Sequence, residues 1–137
     1  MSIASSTSEP HAETPRRVIE LFSQYLNSGN LEGALSLYEP EAVFAPQPGQ
    51  IVSGLDAIRE GLAGFFAIRP QIEGEIQKVL AAENTALVIN SWSLTGTQPD
   101  GQPLAMEGTS ADVVRRQEDG RWLIVIDDPW GAQTSRR

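Results

Sequence analysis

The sequence predicts an α+β fold: three amino-terminal helices packed in the concave face of a strongly curved, mainly antiparallel sheet, making a cone-shaped α+β barrel. Three observations point there. Up to about residue 66, apolar side chains recur at helical spacing in three segments, each bracketed by capping or breaking residues. From residue 71 onward the period shortens to that of strands, in four runs divided by turn signals. Helices that carry one apolar stripe must bury it, and the face of a curling sheet is the available partner.

Taken in order, Thr14 is placed to cap a first helix with Pro15 at its first position, and Val18, Leu21, Phe22, Tyr25 and Leu26 form its stripe until Gly29. Asn30 caps a short second helix bearing Leu31, Ala34, Leu35 and Tyr38, which Pro40 breaks. Residues 42–45 form a short strand and "PQPGQ" a loop. Ser53 caps a third helix with Leu55, Ile58, Leu62 and Phe65 on one side, closed by Pro70. The strand runs that follow are "QIEGEIQKVLA", "TALVINSWSLTG", "PLAMEGTSADVVRRQ" and "RWLIVID", separated by "EN", "TQPDG" and "EDG".

A chain of 137 residues with 40% hydrophobic residues suits one domain with one core, expected over residues 14–131 between a flexible tail at 1–13 and another at 132–137. The formal charge of −8 argues against nucleic acid as a partner, since phosphate binding relies on Lys and Arg. With no cysteine there is no disulfide or thiolate chemistry, and the single histidine, His11, lies in the amino-terminal tail. No metal or cofactor is expected, because the acidic pairs fall short of the six or so oxygens that a hard cation needs. No apolar run approaches the roughly 20 residues of a membrane span, and "MSIASSTSEPHAETP" lacks the pattern of a signal peptide, so a cytoplasmic protein is expected.

The layout, with "LNSGNLEGALSLYEPEAVF", "SGLDAIREGL", "ADVVRRQEDGRWLIVID" and the closing "PWG", resembles the ketosteroid isomerase and SnoaL-like branch of the nuclear-transport-factor-2-like superfamily over roughly residues 15 to 131. That resemblance implies a pocket and locates it. The family's oxyanion-donating tyrosine falls on Phe22 and its aspartate base on Pro46, so steroid isomerase chemistry is not implied. Its second oxyanion donor, a carboxylic acid kept protonated by an apolar site, falls on Asp112, and its pocket aromatics fall on Trp92 and near Trp130.

The candidate catalytic residues are Asp112 and Asp127. If Asp119 and Gly120 make a two-residue type I′ turn, Glu118 stands opposite Arg121 and the count outward puts Asp112 opposite Asp127, with Val114 and Val125 on the same face. Two carboxylates about 5 Å apart in an apolar hollow cannot both ionise cheaply, so one proton is retained. A three-residue loop with a bulge would instead slip the register and turn Asp128 inward. On the competing reading both acids merely prepare the turn at Pro129, neutralised by Arg115, Arg116 or Arg121. Candidate ligand contacts are Phe22, Tyr25, Phe44, Trp92, Val114, Val125 and Trp130, with the Tyr25 hydroxyl replacing the donor lost at Phe22.

The expected function is a pocket for a small apolar, carbonyl-containing molecule, with acid/base chemistry of the isomerase, cyclase or dehydratase type. The alternative is a non-catalytic binding or dimerisation module. A homodimer is expected because "TALVINSWSL" and "RWLIVID" are apolar on both faces.

Overall fold

The computed structural model describes residues 11–131; residues 1–10 of the expected amino-terminal tail and all of 132–137 lie outside the described residues. Helix α1 spans Pro15–Ser28. Its Thr14 hydroxyl accepts from the Arg17 amide at 3.1 Å, and the chain leaves it through Gly29 at φ 74°. Helix α2 covers Leu31–Leu35, capped by the Asn30 side chain accepting from Gly33 N–H at 2.9 Å. Strands β1 (Tyr38–Gln47) and β2 (Gln50–Ser53) precede helix α3 (Leu55–Ala67), and β3 (Gln71–Ala82), β4 (Thr85–Thr97), β5 (Pro103–Arg116) and β6 (Trp122–Asp128) complete the chain.

Four local expectations are corrected. Tyr38 belongs to β1, because α2 closes two residues after Leu35 with Leu37 N–H bonded to Ala34 O, and Tyr38 is buried opposite Ile124. Pro40 therefore sits inside a strand, in an irregular stretch between Tyr38 and Val43 where a missing donor is tolerated. Most of "PQPGQ" is strand: Gln47 pairs with Gln50 around a turn whose Gly49 has φ 82°, so a hairpin stands where a loop was expected. Finally, α3 is preceded by Gly54 at φ 87° with no side-chain cap, while Ser53 ends β2.

The β5–β6 hairpin departs from the predicted turn and still delivers the predicted pair. Gln117 N–H bonds Arg121 O at 2.7 Å, so Glu118, Asp119 and Gly120 form a three-residue turn and Arg116 pairs with Trp122. The pairing runs to Val114 opposite Ile124, and then a bulge takes up Val125 and the register resumes with Val113 opposite Ile126 and Asp112 opposite Asp127. The longer loop and the bulge are offsets of one residue in opposite senses, and they cancel at the acids.

The six strands form one sheet in the order β2-β1-β6-β5-β4-β3, antiparallel except for the parallel β1–β6 pair. The edges β2 and β3 do not meet, so the cone stays open. Asn27 near the end of α1 grips edge strand β3 like a strand neighbour, accepting from Ile72 N–H at 2.6 Å and donating to Ile72 O at 3.0 Å. The buried apolar residues fall into two clusters. The larger contains Val18, Leu21, Ile58, Leu62, Val88, Val114 and Ile124; the smaller is Leu26, Trp92 and Leu94, flanked by Phe65, Phe66 and Ile72.

Candidate functional site

Strand alternation builds the site. On the helix-facing side of β4 lie Ala86, Val88, Asn90, Trp92 and Leu94, all buried, and on that of β5 lie Ser110, Asp112 and Val114. Asn90 stands opposite Ser110, and Asp112 opposite Asp127. Four buried polar residues, Asn90, Ser110, Asp112 and Asp127, thus occupy one patch of an otherwise apolar face. At the seam between the two clusters is a cavity of ≈ 70 Å³ whose wall includes Phe22, Phe44, Phe65 and Trp92 and whose polar residues include those four. Across Ile19, Ser23 and Asn90 it adjoins a wider hollow of ≈ 320 Å³ between α1 and β3, bounded also by Arg16, Glu20, Gly74 and Ile76.

Both acids are well held. Asp112 Oδ1 accepts from the Asp128 amide at 3.1 Å, and Asp127 Oδ2 accepts from the buried Tyr38 hydroxyl. Burial, followed by the charge of Asp127, pushes the Asp112 carboxyl well above the usual carboxylate range, against the opposing pull of the Asp128 amide and the Ser110 hydroxyl. Burial lifts Asp127 too, while its hydrogen bonds from Asp112 and Tyr38 draw it back. Both carboxyls are thus raised by burial, Asp112 the more strongly, so the pair as a unit retains a proton above the usual carboxylate range. The Tyr38 hydroxyl is raised well above its ordinary value, by burial first and then by the Asp127 charge, and stays a donor.

The two readings of the acid pair divide between neighbours. Asp127 faces the cavity, and Asp128 makes the turn, its Oδ1 accepting from Trp130 N–H at 3.2 Å. That turn is strapped across the end of the cavity. Trp92 Nε1 donates to Pro129 O at 2.8 Å, Trp130 Nε1 donates to Ala45 O at 3.1 Å, and the two indoles meet edge to face at 5.6 Å. A Cβ at Gly108 would come within 2.9 Å of the Trp92 indole, and one at Gly131 within 2.3 Å of Thr109 O, so both glycines are required where they stand.

Of the candidate contacts, Phe22, Phe44 and Trp92 line the cavity. The other four do not. The Tyr25 ring fills the space over Gly33, where a Cβ would lie 2.5 Å from its Cδ1, so Tyr25 does not supply the donor expected in place of Phe22. Val114 is sealed into the larger cluster, Val125 is the half-buried extra residue of the bulge, and Trp130 backs Trp92 from behind. The structure adds Tyr38, Asn90 and Ser110 to the site. Asn90 and Ser110 carry a signal in the sequence, since each falls in phase with buried neighbours in a period-2 stripe; Tyr38 carries none, because its spacing from Leu31, Ala34 and Leu35 is that of a helix. Among the described residues no group of three or more His, Cys, Asp or Glu side chains is placed to hold a metal ion, and no helix is long and apolar enough to cross a membrane.

The model of the SnoaL-like domain matches residues 18–125 of the sequence, all but the outer ends of this architecture. The chain belongs to the SnoaL-like domain family. No curated protein matches it. Among solved structures, this SnoaL-like chain is similar to a ketosteroid isomerase-like protein from Erwinia carotovora atroseptica, at 16% identity and TM-score 0.73 over 82% of this chain and 88% of the other. It is similar to a nuclear transport factor 2-like superfamily protein from Salmonella enterica serovar Typhimurium, at 17% and 0.72 over 88% and 89%. A third is an NTF-2 like protein of unknown function from Shewanella oneidensis, at 16% and 0.68 over 82% and 92%. At such identities these likenesses establish the fold alone.

Proposed function

We propose that this SnoaL-like domain binds a small apolar carbonyl compound in the cavity, with Asp112 donating the pair's proton to the carbonyl oxygen and Asp127 as the anion beneath it. The observation that carries the reading is the opposed Asp112–Asp127 pair in an apolar wall, backed by Tyr38. A neutral carboxyl in such a site is a strong donor, and polarising a ketone in this way acidifies its α-hydrogens, as isomerase, cyclase and dehydratase chemistry requires. The cavity is about half the roughly 150 Å³ that admits benzene, so a ring needs Ile19, Ser23 and Asn90, the residues shared with the adjoining hollow, to move apart.

The test is a thermal-shift and NMR screen of steroids, polyketides and terpenoids, followed by incubation of hits in D2O. Binding that survives in Asp112→Asn but drops tenfold or more in Asp112→Ala supports the assignment; equal binding to all three proteins overturns it. Deuterium entering the α-carbon of a bound ketone would establish catalysis. Its absence favours the non-catalytic binding reading, which Pro46 and Phe22, at the family's base and tyrosine positions, support.

The homodimer belongs to the same proposal. Across the outer sheet face Val43, Ile126, Val113, Leu87 and Leu80 stand directly opposite one another from β1 to β3, with Ile126 at 42% and Leu80 at 55% exposure. An apolar row five strands wide suits a second copy. Light scattering is expected to give a dimer that Ile126→Lys turns into a monomer. The lack of cysteine supports a reducing, cytoplasmic setting.

A further inference from the structure

Asn90 is 6% exposed, and its Oδ1 is buried without a hydrogen-bond partner among the described residues. Asn90 belongs to the cavity wall and also to the wall of the adjoining hollow, so it stands where the two meet. Asn90 packs closely on Gly74, where a Cβ would lie 3.0 Å from Asn90 Nδ2 and 3.1 Å from Oδ1, and Ser110 Oγ donates to the Asn90 backbone carbonyl at 3.3 Å, leaving the side-chain oxygen unserved. Asn90 lies diagonally across from Asp112, because its direct partner Ser110 is two residues away on the same face of β5. Diagonal neighbours in an antiparallel pair are about 7–8 Å apart, close enough for one small ligand with a polar group at each end to touch both side chains.

We infer that the ligand is a hydroxylated carbonyl compound, or one with an N–H in place of the hydroxyl, whose donor group is received by Asn90 Oδ1 while its carbonyl meets Asp112. The inference rests on the carbonyl-binding reading above and adds to it the second polar end of the ligand. A buried acceptor discriminates strongly, because a ligand without a donor leaves it unpaired in the complex. Specificity for the hydroxyl thus resides in Asn90, and affinity for the carbonyl in Asp112.

The probes are 4-hydroxycyclohexanone and cyclohexanone, titrated by NMR into wild type, Asn90→Leu, Gly74→Ala and Asp112→Ala. Wild type is expected to bind the hydroxyketone about tenfold more tightly than the ketone. Asn90→Leu should abolish that preference, and should melt a few degrees higher without ligand, since a nearly isosteric apolar group replaces an unserved buried acceptor. Gly74→Ala crowds the carboxamide, moving it from its place, and should reduce the preference even if Asn90→Leu fails to fold. Equal binding of both probes to wild type, or a preference that survives in both Asn90→Leu and Gly74→Ala, overturns the inference while loss of cyclohexanone binding in Asp112→Ala keeps the carbonyl reading standing. If neither probe binds wild type, both readings fall together.

Discussion

Two stretches of one sheet face, two residues apart, meet opposite fates. At one end Val88, Val114 and Ile124 lie against Val18, Ile58 and Leu62 with 2% exposure or less; at the other Asn90, Ser110, Asp112 and Asp127 are almost as deeply buried but polar. The strands, the register and the helices above are shared. What differs is the source of order. The apolar end is held by removal of surface from water, which needs no partner-specific geometry. At the polar end each group must be served individually, by the Asp128 amide for Asp112 and by Tyr38 for Asp127. One end maximises stability, and the other gives some of it up to hold a proton and an unserved acceptor beside a cavity.

The contrast can be broken most severely at the apolar end. Ile124→Ala is expected to lose about 2–5 kcal/mol, because a residue at 2% exposure leaves a void that neighbours cannot refill, and urea unfolding measures it directly. At the polar end Tyr38→Phe keeps the ring but removes a donor to a charged oxygen, with an expected loss of about 1.5–3 kcal/mol at pH 7. That loss should shrink as the pH falls and Asp127 takes up a proton, so melts of the variant at successively lower pH sharpen the comparison.

Asp112→Asn should act in the other direction. The folded state raises both aspartates, so it binds protons that the unfolded chain has released above pH ~4. The stabilisation from this uptake is complete below pH ~4 and lost as pH rises toward the pair's elevated titration. Asparagine keeps the shape, accepts from the Asp128 amide and donates to Asp127 without that penalty. The variant should match wild type near pH 4 and exceed it at pH 7 by on the order of 1 kcal/mol, checked by melts from pH 4 to 8. The smallest effect is expected at Arg59→Ala: the Arg59–Glu32 ion pair lies in water, and no measurable shift in the unfolding midpoint should follow.

How much of this was visible beforehand depended on the range of the interaction. Helix α1 was legible because Thr14, Pro15 and Gly29 act within a turn of themselves. The pairing of Asp112 with Asp127 came out correctly from the sequence although its premise, a two-residue turn at Asp119 and Gly120, did not hold. Tyr25 and Tyr38 show the opposite failure. Both lie in helix-like text, and the choice of which tyrosine reaches the acids was made by β1 pairing in parallel with β6, a contact 89 residues away in sequence.

Side-chain spacing of 3.6 and 2 along a local backbone was enough to place the three helices and the four carboxy-terminal strands and to set the inward phase of β4 and β5. Tertiary structure alone decided that a bulge at Val125 would cancel the longer turn, that Asp128 rather than Asp127 would tie the Pro129–Gly131 turn, and that Tyr38 would stand behind the pair. Each of those outcomes is a choice between conformations that are nearly equal for a short peptide. The difference is supplied only when a distant strand or indole arrives to fill the space and take the hydrogen bond.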